Sequence, residues 1–269
     1  MDYESIKHDF GKVISGNALL TSWFFFICGR IFLRVRYVKA ALKRLIPQLG
    51  VENPAVLDAG SGYGFYSHFI ARQFPSARVT SGDIQENYLE NFRCFAREAG
   101  LENIAVERID LTGMEFEERF DMAISIDVLE HIMDDEKVFR NIFRALKKGG
   151  CFLMHTPHIS ENPSGHNYGA YNDDHVRAGY SSADIQQKLG AAGFERTECT
   201  LTYGRWGHIA WKMLQRLPIY LLGKNKLFYL LLPIYYPLVY PLAELFMWID
   251  TRLKKREGGG ILVSAWKPQ

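Results

Sequence analysis

The chain has 269 residues, 48% of them hydrophobic, with a formal net charge of +2. That length can bury a sizeable core. Its four cysteines, Cys28, Cys94, Cys151 and Cys199, form no C-x-x-C pair, so neither a disulfide framework nor a zinc site is expected and a reducing cytoplasm fits. The charge is unevenly spread. Phe10 to Val51 carries +7 with no acidic residue, Gly204 to Arg256 carries another +7, and the remainder is strongly acidic. An acidic centre excludes a general nucleic-acid binder, which needs basic charge beside its site. Basic charge beside apolar runs suits an anionic membrane surface instead.

In chain order, Met1 to Phe10 mixes both charge signs and no cleavable signal pattern follows. Ala18 to Cys28 is strongly apolar but shorter than the roughly 20 residues a bilayer span takes. Arg30 to Ile46 reads as a helix with Ile31, Val35, Val38, Leu42 and Leu45 on one face, ended by Pro47 and Gly50. Strands are expected at 55–58, 78–83, 104–109, 121–126, 150–156, 194–202 and 261–266. Helices are expected at Phe65–Phe74, Asn87–Gly100 and Asp135–Leu146, and from Ser181 or Ser182 to Gly193. This alternation of strand and helix is that of an α/β doubly wound sheet.

The turn Asp58-Ala59-Gly60-Ser61-Gly62-Tyr63-Gly64 follows a buried strand and opens a helix. That arrangement makes a nucleotide-type pocket at the carboxyl edge of the sheet. The dinucleotide pattern G-x-G-x-x-G fails, because its third glycine would fall on Phe65. The pattern Asp58-x-Gly60-x-Gly62-x-Gly64, with Asp83, Asp110-Leu111, the run Phe120–Ile132 and the turn Leu146–Met154 in that order, resembles the class I S-adenosylmethionine (SAM) dependent methyltransferases, Rossmann-like and type 11-like.

The resemblance covers about Val56 to Tyr203 and returns at the last strand. It implies a seven-stranded, mostly parallel sheet with strand seven antiparallel and helices on both faces. It also implies SAM as cofactor. Asp58 would answer the methionyl ammonium, Asp83 the ribose and Asp110 the adenine amino group. Leu111 would pack the ring and Ile126 would border the methionyl part. Gly60, Gly62, Gly64, Tyr66 and Ile84 complete the expected cofactor set. NAD is not expected to bind.

Methyl transfer needs a base only when the nucleophile is protonated. The candidates are His131, His158, His166 and His175; His155 belongs to the same cluster. Asp127, Glu130 and His131 with His155 or His158 could imitate a divalent-ion site, but no metal is expected.

About 55 residues separate strands six and seven, with Glu244 the only charge from Leu227 to Ile249. Pro233, Pro237 and Pro241 argue for a broken lid or re-entrant wedge rather than one continuous helix. The expected organisation is therefore N-terminal cap helices at 1–50, a methyltransferase core at 51–203 and 261–269, and an inserted lid or membrane-docking segment at 204–260. The expected function is methylation of a lipid-like, membrane-associated acceptor by a cytoplasmic protein peripheral to the inner face of the membrane. The alternatives are a soluble small-molecule acceptor, or a docked SAM-binding module without turnover.

Overall fold

A computed structural model describes residues 17–160 and 175–269. The expectations placed on Met1–Phe10 and on His166 lie outside the described residues. The strands are β1 (Ala55–Ala59), β2 (Arg78–Asp83), β3 (Ile104–Arg108), β4 (Phe120–Ile126), β5 (Leu146–Pro157), β6 (Arg196–Thr202) and β7 (Gly260–Trp266). They form one sheet in the order β3-β2-β1-β4-β5-β7-β6, with β7 antiparallel to both of its neighbours. Central strands are apolar because both faces are covered: every residue of β4 is buried. β5 starts earlier than the sequence suggested. Leu146 already pairs with Phe120, and a register shift absorbs the Lys147–Gly150 turn.

Before the sheet come α1 (Ala18–Ile31) and α2 (Leu33–Gln48); within it lie α3 (Phe65–Gln73), α4 (Glu86–Glu98), α5 (Asp135–Ala145) and α6 (Ser182–Ala192). α6 is capped by the Ser181 side chain, one of the two serines expected there, and α5 by that of Asp134, which the sequence reading did not single out. α3 and α4 pack on one face with Ile70, Phe92 and Phe95; α5 and α6 pack on the other with Phe139, Ile142, Ile185 and Leu189.

The helix expected from Arg30 to Ile46 starts at Leu33, because Arg30 and Ile31 end α1. Phe32 is extended, and the chain turns by 96° between α1 and α2. The turn lets the two helices face different partners. Phe25 of α1 enters an aromatic cluster with Phe65, His68 and Phe95, while Val35, Val38, Leu42 and Leu45 of α2 are buried. Pro47 does not stop α2 but sits inside its last turn.

The insertion is a helical hairpin. It leaves β6 through α7 (Arg205–Trp211), a π-helical turn (Lys212–Arg216) and α8 (Leu217–Lys224). It returns through a short 3-10 turn (Lys226–Leu231) and α9 (Leu232–Arg252). Here the sequence reading is corrected, because α9 runs unbroken through Pro237 and Pro241. Pro233 lies in the first turn, where no donor is required. The fourfold spacing puts all three rings on one exposed side, so the remaining hydrogen-bond rows carry the helix.

Buried Asp250 ties this hairpin to α2. Its Oδ2 accepts from the Tyr37 hydroxyl at 2.7 Å and its Oδ1 from the Gly207 amide at 2.9 Å, with Lys255 beside it at 3.7 Å. Arg36 pairs with Glu244 alongside. Asp250→Ala strands these buried donors and should cost about 3–5 kcal/mol. Exposed Leu245→Ala should cost under about 0.5 kcal/mol. Urea unfolding checks both, and equal midpoints would remove Asp250 from this role.

Candidate active site

The site is built from the strand ends. Past Ala59, the amides of Gly60 and Ser61 donate to the Gly82 carbonyl at 2.8 and 2.9 Å, which starts the turn. Gly60, Gly62 and Gly64 all have positive φ, at 83°, 54° and 77°. A Cβ on Gly64 would lie 2.3 Å from the Phe92 ring, whereas one on Gly62 would meet nothing within 4 Å.

A cavity of ≈ 2420 Å³ opens above this edge. Of the expected cofactor residues, Asp58, Gly60, Gly62, Tyr66, Asp83, Ile84, Asp110, Leu111 and Ile126 line it together. Gly64 does not: its place is set by contact with Phe92, so its demand is helix packing. Asp83 bridges the turn, accepting from Gly62 N at 2.8 Å and from Gln85 N at 2.9 Å. Thr112, through its hydroxyl at 2.7 Å and its amide at 2.9 Å, holds the exposed Asp110 carboxyl below the usual range. Asp58 is buried and accepts from Ser67 Oγ at 2.7 Å; burial pushes its carboxyl up to about 7.

The cradle fits the cofactor that the motifs imply. The Ser61 and Tyr66 hydroxyls are buried, line the cavity and have no protein hydrogen-bond partner. The Gly62 Cβ position is open, and the carboxyls suit ammonium and ribose hydroxyls.

The histidines divide. His158 is buried with Nδ1 3.0 Å from the Gly258 carbonyl and does not line the cavity, which corrects its place among the bases. His131 and His175 do line it, with ring centroids 4.6 Å apart. The chain from His175 onward is pinned there. Val176 N donates to the Glu130 carbonyl at 3.0 Å, and Arg177 binds Asp135 and the carbonyls of Ile132 and Met133. Glu130, His131 and His175 thus bring one ligand-type atom each within 4.8 Å. This is not the set weighed from sequence, because Asp127 and His155 are engaged elsewhere. Burial, then the Asp127 charge, raises the Glu130 carboxyl.

Sequence reasoning missed a polar chain. Arg34 Nε meets Asp127 Oδ2 at 2.9 Å, Asp127 Oδ1 meets His155 Nδ1 at 2.6 Å, and His155 Nε2 meets Thr202 Oγ1 at 3.0 Å. The Arg34 amide also donates to the Tyr203 hydroxyl at 3.1 Å. Burial would raise the Asp127 carboxyl, but Arg34 and His155 outweigh it and hold it low. Asp127 and Tyr203 both sit at φ 54°, a strained conformation for non-glycine residues. The members come from four distant elements, so no local motif announces them.

Comparison with known proteins agrees with this architecture. Residues 51–200 match the family described as a methyltransferase domain. An (S)-coclaurine N-methyltransferase from Papaver somniferum is 32% identical over 111 residues, 40% of this chain and 31% of that protein. A ubiquinone biosynthesis O-methyltransferase from Pseudomonas fluorescens is 29% identical over 131 residues, 48% of this chain and 54% of that protein. The chain therefore spans about a third to about half the length of these curated relatives. Haemonchus contortus phosphoethanolamine N-methyltransferase 2, in complex with SAM, superposes with a TM-score of 0.55 at 23% identity, over 81% of this chain and 49% of that one. The [4+2]-cyclase SpnF gives 0.55 at 19% identity, over 84% and 80%. At such identities the likeness is one of fold, and one fold serves different chemistries.

The Asp58 carboxyl, raised from 3.8 to about 7, makes the protein's stability depend on pH. The folded state keeps a proton that the unfolded chain releases. The stabilisation is full below about pH 4 and is lost as pH rises through about 7. Asp58→Asn should gain on the order of 2–4 kcal/mol relative to the parent over that window. Urea titrations at both ends of the window check this, and parallel pH profiles would contradict it.

Proposed function

This chain belongs to the methyltransferase-domain family, and on that premise we propose that it is an enzyme that methylates a small acceptor with a polar head and an apolar tail, using SAM, at an anionic membrane surface. The cavity carries this reading. Small-molecule sites usually occupy roughly 300–1,000 Å³, and this one is more than twice the upper figure. Its inner end is the carboxyl edge with Asp58, Asp83 and Asp110. Its outer rim includes Leu20, Trp23 and Ile27 of α1 and Ile219, Tyr220 and Tyr229 of the hairpin, which line the cavity and are also exposed.

When bound, SAM supplies a methyl group already activated by its sulfonium. Asp58, Asp83 and Asp110 are assigned to its ammonium, ribose and adenine ends. The chain's further work is positioning and exclusion of water. α1, α2 and the hairpin wall the strand edge, and the Arg34–Asp127 pair keeps α2 against it. For an acceptor carrying O–H or N–H, a ring nitrogen of His131 or His175 takes the proton, beside the Glu130 carboxyl.

The outward face of α9 supports membrane docking. Ile234, Leu238, Leu242, Leu245 and Trp248 are exposed beside the three prolines, where a water-facing helix would be polar. Basic groups lie over exposed rings of the rim and of α9: Arg30 over Phe26 at 5.2 Å, Lys224 over Tyr220 at 4.6 Å and Arg252 over Trp248 at 4.2 Å. By length and composition the stretch Leu227–Arg252 could cross a bilayer. Thr202 pairs with Gly260, however, so the insertion returns to the side it left. The outward arm carries Lys212, Arg216 and Lys224, each costing about 2.5–3.5 kcal/mol at a bilayer centre. A wedge in the interface suits both facts.

Asp83→Ala should weaken SAM binding by about 1–3 kcal/mol, since it loses a charged contact and unties Gly62. Calorimetry reads this, and an unchanged affinity would sink the assignment. The protein should also sediment with phosphatidylglycerol-containing vesicles, less so as salt rises, and hardly with neutral phosphatidylcholine. Leu227→Asp with Leu230→Asp, at exposed tip positions, should cut that binding roughly tenfold or more while sparing SAM affinity. Equal sedimentation of parent and variant would return the hairpin to a simple roof.

A further inference from the structure

The π-helical turn Lys212–Arg216 lies in the hairpin's outward arm. Such turns recur at functional sites because they re-aim side chains. This one is held from the opposite helix. Tyr235 and Tyr236 of α9 donate their hydroxyls to the carbonyls of Met213 and Leu214, at 2.7 and 3.0 Å. The two phenols thus satisfy main-chain oxygens in the widened turn.

Gln215 sits within this turn and lines the cavity. Its Nε2 is buried and has no hydrogen-bond partner. Trp211, Leu214, Pro218 and Ile219, from the same arm, line the cavity with apolar surface. A buried amide donor left unpaired on such a wall is costly, and native proteins rarely keep one without a use. Gln215 belongs to the insertion, whereas the carboxyls assigned to the cofactor belong to the strand ends of the core.

We infer that Gln215 selects the acceptor, donating a hydrogen bond from Nε2 to an oxygen on its head group while the surrounding wall holds the apolar tail. The inference rests on the reading that the hairpin side of the cavity receives the acceptor. It narrows the acceptor class to amphiphiles whose head carries a hydroxyl, carbonyl or ether oxygen. Because the contact is made by the wall and not by the base, Gln215 acts on which molecule is held rather than on the transfer itself.

The test uses the full chain loaded with S-adenosylhomocysteine and two probes of matched shape, para-octylphenol and octylbenzene, in equilibrium dialysis. The parent should hold the phenol roughly fivefold more tightly, the size of one neutral hydrogen bond. Gln215→Leu should lose that preference yet keep its affinity for octylbenzene and for S-adenosylhomocysteine. Gln215→Glu, nearly isosteric but without the donor when ionised, should lose it too, and it decides the matter if the leucine variant does not fold. A preference unchanged in the variants overturns the role of Gln215 and leaves the acceptor reading standing. Binding of neither probe by the parent overturns that reading and the inference with it.

Discussion

The pairing of Thr202 with Gly260 across β6 and β7 is the constraint on which the upper half of the molecule depends. It pins both ends of the insertion to one point on the carboxyl edge, so α7 to α9 can only rise from the sheet and return. Asp250 then sets how the hairpin leans, by joining it to Tyr37 of α2. Once α2 is held there, Arg34 at its first turn reaches Asp127 beyond the end of β4. The strained backbone of Asp127 and Tyr203 is kept by this closure, since each residue is bonded to Arg34. The roof and the floor of the cavity are therefore one hydrogen-bonded assembly rather than a lid resting on a core.

The same closure sorts the acids of the site. Asp58, Asp127 and Glu130 all line the cavity and all feel burial, which opposes ionisation. Only Asp127 among them has a guanidinium and an imidazole against it, and it stays charged. Asp58 and Glu130 are left able to hold a proton near neutrality. Environments that push like groups apart are how one pocket keeps a fixed charge beside exchangeable protons.

Much of the core was legible in the sequence because its signals are local. Strand runs such as Val56–Ala59, the cap Ser181 and the stop at Gly193 each depend on near neighbours, and each fell within a few residues of its expected place. The glycine turn was legible for the same reason. The break at Phe32 was not, because nothing in the apolar spacing from Ile31 to Leu45 shows that α1 and α2 face different partners. The proline spacing in α9 misled, since helix rupture is the outcome for a buried ladder and these rings lie on an exposed side. The chain from Arg34 to Thr202, the meeting of His131 with His175, and the buried amide of Gln215 exist only once distant elements have docked.

The basic side chains lying over Phe26, Tyr220 and Trp248 have a consequence for the molecule alone in water. Each aliphatic stem covers part of a ring while its charge stays solvated. A surface this rich in leucine and tryptophan would otherwise drive copies of the chain together. With cations spread along the same rim, two approaching copies present like charge to like charge, and their repulsion opposes the contact that their apolar area favours. The rim thereby opposes pairing with its own twin, so that the cations which cover the rings also serve colloidal stability.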